Sequence, residues 1–236
     1  MEGLQIGGST MRLLSVGCDA KTIKGEKRGY LTGILYLAPA ESSGHNVCTH
    51  SSVGCRKACL FTAGRASIFP AIIRARKRKT RALFRNRPLF LELLASDIVQ
   101  LVAMANRRNL IPCVRLNGTS DLPWLARTMA KRFPHVQFYD YTKHPRPWLR
   151  TLGNYALTFS LSEDNKKHAL DALANDINVA VVFNVKRGQP LPSTWEGYPV
   201  VDGDLTDLRF LDNTGVIVGL RAKGMAKHDC SGFVQI

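Results

Sequence analysis

The sequence predicts an α/β protein built on parallel strands. Three observations predict it. Six short runs rich in Val, Ile, Leu, Phe or Tyr recur along the chain, most of them bounded by Gly, Pro, Asn or Asp. Segments with apolar residues at helical spacing lie between them, and that alternation argues for a parallel sheet packed against helices. The chain has 236 residues, 45% hydrophobic and 22% charged. That is enough for one domain, 1–236, with a core that needs no disulfide framework.

The first strand is expected at Tyr30–Leu37. A helix is expected from about Ser67 to Arg85, because Phe69, Ile72, Ile73, Leu83 and Phe84 fall at helical spacing with no Gly between them. The next helix begins at Pro88, a residue suited to a first turn, and repeats Leu94, Ile98, Leu101 and Ala105 on one face. Strands follow at Ile111–Leu116, Val136–Tyr139, Tyr155–Ser160, Val179–Asn184 and Val216–Gly219. Shorter helices cover Leu122–Arg132 and Asn165–Ala174. Six strands are too few for a closed eight-stranded barrel. A partial or distorted (β/α)6 barrel and a doubly wound sheet both fit the pattern.

The N-terminus, Met1 to Gly8, has neither a basic start nor an apolar run, so a signal peptide is not expected. No uninterrupted apolar stretch has the length of a membrane span, and no membrane partner is expected. The expected location is the cytoplasm (of the host cell, if the chain is phage-encoded). The six cysteines are then reduced, and a cluster of them reads as metal-binding or catalytic.

The chain carries a net charge of +15. Eleven of its 33 Lys and Arg, and none of its 18 Asp and Glu, lie between Arg56 and Arg87; outside that window the two signs nearly balance. The excess belongs to a basic helix, 67–87, on which Arg74, Arg78, Arg81 and Arg85 share a face. It predicts a polyanionic partner, DNA or RNA, held through phosphates. No base-reading signature accompanies it.

Cys48, Cys55 and Cys59 stand in a C-x6-C-x3-C pattern within a Cys loop, 46–60, that follows the first strand. Three thiols so close together suit a metal. Zinc knuckles use C-x2-C pairs, which are absent here, so three corners of a 4Fe–4S cluster fit better than zinc. Arg56, Lys57 and Arg65 are expected to lower the thiol pKa values and offset the cluster charge. Cys230 leads as fourth ligand, ahead of His45 and His50, because a parallel architecture returns the C-terminus to the same face. Cys18 and Cys113 read as packing residues.

Ligands of parallel α/β folds bind where the strands end at their C-terminal side. There the sequence turns abruptly polar. Arg115, Asn117 and Asp121 follow one strand, and Asp140 and Lys143 follow the next; these five are the pocket candidates. Asp202, Asp204 and Asp207 could hold a divalent cation for phosphoryl chemistry, although Asp-Gly-Asp is also a common turn.

Several stretches resemble the phage and mobile-element gene product 88 family. They are Gly29–Pro39, Gly54–Leu60 with Thr62–Arg65, Arg115–Asp121, Asp202–Asp204, Asp207–Phe210, Gly219–Gly224 and Ser231–Phe233. The resemblance covers nearly the whole chain and implies relatives on mobile elements, without a settled activity. A second resemblance is to radical-SAM proteins, in which a three-Cys loop follows the first strand of a partial (β/α)6 barrel. It implies an open iron for S-adenosylmethionine, which a fourth ligand from Cys230 would close. The expectation is therefore a cluster-binding protein that associates with nucleic acid. The alternatives are a radical-SAM-like enzyme and a zinc-binding or metal-dependent protein that processes nucleic acid.

Overall fold

The structure, a computed structural model, describes residues 11–17, 20–59, 61 and 68–236. Cys18, Arg65 and Ser67, and the Leu60 and Thr62–Arg65 stretches of the resemblance, lie outside them. A ten-stranded, mostly parallel sheet carries the molecule. Its strands are β1 Leu14–Val16, β2 Tyr30–Leu35, β3 Ile111–Arg115, β4 Gln137–Thr142, β5 Tyr155–Ser160, β6 Val179–Phe183, β7 Thr194–Trp195, β8 Tyr198–Asp202, β9 Ile217–Arg221 and β10 Val234–Gln235. The helices are α1 Ala20–Glu26, α2 Val53–Lys57, α3 Pro70–Arg85, α4 Arg87–Arg107, α5 Pro123–Arg132 and α6 Lys166–Leu173.

The order across the sheet is β1-β2-β3-β4-β5-β6-β9-β8-β7, with β10 joined to β6. β2 to β6 are parallel and add in sequence order, with no reversal of the doubly wound kind among them. β1 and β7 pair antiparallel at the two ends, so the sheet is not a closed barrel.

Alternation along the strands sends one set of side chains to each face. Leu31, Leu35, Val114, Phe138 and Leu157 meet Phe90, Leu94, Ile98 and Leu101 of α4 and Leu125 and Met129 of α5 in the main core. Phe159, Val179, Val181 and Phe183 meet Ala169, Ala172 and Leu173 of α6. Residues 204–212 return across the opposite face. Leu208 is buried against Cys113 and Tyr139 there, and Phe210 packs on Tyr30 and Tyr139.

α4 is long and apolar enough, by length and composition, to cross a membrane. Its apolar face nevertheless lies on β2 and β3, and its Asp97 carboxylate accepts from the Leu13 and Leu14 N–H groups at 2.6 and 2.9 Å.

Two strand ends run past the sequence expectation. β4 continues through Asp140 to Thr142, because Asn117 and Tyr155 bond the Asp140 carboxylate inside the fold. β9 continues to Arg221, whose backbone and guanidinium bind Asp204 and Asp202. The basic helix α3 stops at Arg85. Asn86 accepts from the Leu89 N–H at 3.1 Å and caps α4, so Arg87 opens the next helix instead of closing this one.

Candidate functional site

The Cys loop leaves β2 and is fixed by local hydrogen bonds. Asn46 accepts from the Cys48 N–H at 2.8 Å. Ser52 caps α2 by accepting from the Cys55 N–H at 3.0 Å. Behind this short helix stands Glu163, from the loop after β5. One of its oxygens accepts from Ser52 Oγ at 2.7 Å and the other from the Gly54 N–H at 2.6 Å. A Cβ on Gly54 would collide with Ser231 Oγ and both Glu163 oxygens. The loop is therefore clamped between the β5 end and the C-terminal segment.

This places Cys48, Cys55 and Cys59 on the wall of one cavity of about 230 Å³ at the C-terminal ends of the parallel strands. Arg115, Asn117 and Asp121 line it from the end of β3, and Tyr141 and Lys143 from the end of β4. Ser160, Val182 and Leu220 line it from further strand ends, Arg221 and Lys223 add two cations, and Ala226 and Phe233 line it beside the Cys loop. Four of the five pocket candidates thus line the cavity. Asp140 does not: it is buried behind Asn117, accepting from the Asn117 N–H at 2.7 Å and from Nδ2 at 2.9 Å.

Burial pushes the Cys48 thiol up to about 12, and the Ala40 N–H pulls only partly against it. Burial also raises Cys59, while Arg76 and Lys143 pull it down. The cations that act on this thiol are therefore not the expected Arg56 and Lys57, which are exposed on α2. Arg76 projects from α3 over the rings of Tyr36 and Phe61, at 4.7 and 5.6 Å. Its Nε and Nη1 are buried without a hydrogen-bond partner. Lys143 Nζ donates to Ser160 Oγ at 2.6 Å.

Arg115 binds Asp207 at 2.7 Å, with both side chains buried. Burial is the largest single effect and works against the guanidinium charge, but Asp207 together with Tyr141, Tyr139 and Tyr36 outweighs it and the pKa is raised. Three polar atoms of the cavity residues are buried without a hydrogen-bond partner: Arg115 Nε, Asp121 Oδ1, which lies 4.0 Å from His144 Nε2, and the Tyr141 hydroxyl.

The remaining expected residues lie elsewhere. Residues 226–234 do return to the Cys loop, where Ala226, Phe233 and Val234 pack with Cys55 and Ala58, but Cys230 itself is exposed and does not line the cavity. His45 stacks on Phe84, His50 lies tilted against the His144 ring, and neither lines the cavity. Cys113 is buried beside Thr32, as a packing residue should be.

Asp202 and Asp204 both bind Arg221, Asp204 also binds Lys223, and Asp207 binds Arg115. Each carboxylate of the Asp trio therefore has its own cation, and the Asp204 N–H to Asp202 Oδ1 bond at 2.9 Å closes an Asx turn. Among the described residues no group of three or more His, Cys, Asp or Glu side chains gathers tightly enough to hold a single metal ion. Arg74, Arg78, Arg81 and Arg85 are exposed on α3, on the shared face expected of them.

Glu163 and Arg76 were missed in the sequence reading. Nothing local marks Glu163. Arg76 was readable: it falls at helical spacing with Ile72, Thr80 and Leu83, the inward face of α3.

Fold and site together define a class: a parallel α/β protein with a three-thiol cavity where its strands end. The chain belongs to the gene product 88 family of phages, which it matches over residues 12–236. No curated protein and no solved structure gives a match.

Proposed function

We propose that this chain binds a 4Fe–4S cluster through Cys48, Cys55 and Cys59 and associates with DNA or RNA through α3. One observation carries the first part. Three thiols of a single loop line one cavity, with the cations of Arg76 and Lys143 acting on Cys59. Thiols raised by burial need nearby positive charge to become thiolates, and a bound cluster supplies more of it. A tetrahedral zinc site would bring its sulfurs to within about 3.8 Å of one another, given Zn–S bonds of ~2.3 Å. Thiols spread around a cavity suit the larger cluster. The exposed arginine face of α3 supports the second part.

The test is anaerobic purification with iron and sulfide analysis. A brown protein absorbing near ~400 nm is expected. Ser at Cys48, Cys55 or Cys59 should abolish the colour, whereas Cys230→Ala should keep it. Loss of the cluster in Cys230→Ala would make Cys230 the fourth ligand. Stoichiometric zinc in a colourless protein would overturn the reading.

A second reading is enzymatic. It is supported by the sequential order of β2 to β6, which is compatible with a partial (β/α)6 barrel, and by the three-Cys loop that follows the first parallel strand. The unpartnered atoms of Arg115, Asp121 and Tyr141 support it, because a polar ligand would satisfy them. Bound S-adenosylmethionine would supply radical chemistry at the cluster. This chain's part is to orient a ligand: Asp121 Oδ1 accepts a donor, and the Tyr141 hydroxyl and Arg115 Nε give hydrogen bonds to an acceptor. Reductive cleavage of S-adenosylmethionine by the cluster-loaded protein selects this reading; its absence leaves a structural or redox role.

A further inference from the structure

The positive charge does not end with α3. Where α3 gives way to α4, Arg87 reaches α5 and lies over the Trp124 ring, 4.7 Å from its centroid. Trp124 is 37% exposed. One and two turns further along the same face of α5 come Arg127 and Lys131, and Arg150 closes the side of a cavity of about 290 Å³ with Pro123 and Thr128. No carboxylate lines this cavity.

Arg87, Arg127, Lys131 and Arg150 form no ion pair among the described residues, and Arg127 Nε is buried without a partner. The contrast is the next residue on α5: Arg132 holds Glu92 through two bonds, at 2.6 and 2.8 Å. The arginines of α3 span about 16 Å, at ~1.5 Å rise per residue, and the Trp124–Lys131 face adds about 10 Å. Arg87 bridges the two stretches.

We infer that this surface binds single-stranded nucleic acid, with Trp124 as a stacking platform for a base and Arg87, Arg127, Lys131 and Arg150 as phosphate ligands. The inference rests on the nucleic-acid reading of α3 and deepens it by naming the strand state. A cationic groove with an exposed indole is the arrangement that tracks a flexible strand, since every base offers a face to stack. A duplex keeps its bases stacked inside and offers the indole nothing. A base on Trp124 takes the place Arg87 now holds, and Arg87 then turns to the adjoining phosphate.

The experiment is fluorescence anisotropy of the full chain with a labelled oligonucleotide of about 12 nucleotides, within the ~4–16 that such sites cover, and with the matching duplex. The expected result is a preference for the single strand. Trp124→Ala should weaken single-strand binding about tenfold and leave the slope against log salt unchanged, and Trp124→Phe should restore most of the affinity. Arg127→Ala should instead flatten that slope by about 0.7. Equal affinity for strand and duplex, or no effect of Trp124→Ala in a protein that Trp124→Phe shows to be folded, overturns the inference. If Arg74→Glu and Arg78→Glu also change nothing, or no oligonucleotide binds, the nucleic-acid reading itself fails.

Discussion

Arg76 stands in the middle of the most basic run of the chain, yet it turns away from its neighbours. Arg74 and Arg78 face solvent, whereas Arg76 lies over Tyr36 and Phe61 and acts on Cys59. A charge count sees one block; the helical period separates two roles. Glu163 could not be found that way, because its partners Ser52 and Gly54 lie more than a hundred residues earlier. Glu163→Gln should leave one of these donors facing an amide N–H₂, at about 1–3 kcal/mol. We expect a lower melting temperature and weaker iron retention, because the Cys loop loses its clamp. Gly54→Ala should do the same through collision with Ser231 and Glu163.

Asp140 gives a pH signature. Burial raises its carboxyl from 3.8 to about 7, against the pull of the Asn117 amides. Between those values the folded chain holds a proton that the unfolded chain has released. The stability this group contributes is whole below pH ~4 and lost as pH rises through about 7. Urea midpoints should therefore fall across that window in the native protein, and by less in Asp140→Asn, which has no proton to lose.

At the scale of elements, the six central strands were legible because each is an apolar run closed by turn residues. Their polar ends were not. Asp140 and Thr142 of β4 and Arg221 of β9 read as loop, and only partners on distant segments keep them in the sheet. The short β1, β7 and β10 carry too few residues to show a period, and β8 holds Pro199, which argues against a strand. The Asp trio failed as a cation site because its arginine and lysine partners stand at the ends of β3 and β9.

The 204–212 segment is the element whose role was least visible. It crosses the inner face of the sheet and is anchored by the buried Arg115–Asp207 pair. Asp207→Asn should leave a buried guanidinium without its counter-charge, at roughly 3–5 kcal/mol. Chemical denaturation would measure the loss. A change under 1 kcal/mol would show that the segment is held by Leu208, Phe210 and the Asp204 bonds to Arg221 and Lys223 instead.

Over the whole molecule, the expectation that ligands gather where parallel strands end located the cavity from sequence. It placed four of five candidates on its wall, as well as the three thiols. It did not foresee that Cys230 stays exposed outside the wall, because the return of a segment to a face does not fix which way one side chain turns. Sequence order within the sheet was not readable either, since alternating strands and helices fit both sequential and doubly wound arrangements.

The cavity wall joins parts of the chain that a ribosome makes far apart in time. Its thiols, on residues 48–59, emerge well before Leu220, Ala226 and Phe233, the last two of which pack against the Cys loop. During synthesis the three cysteines therefore precede the segment that packs on them. Completion of residues 226–235 then shuts the wall and seats β10 beside β6. On the cluster-binding proposal, a chain stalled short of residue 226 should accept iron faster, and lose it faster, than the 236-residue chain.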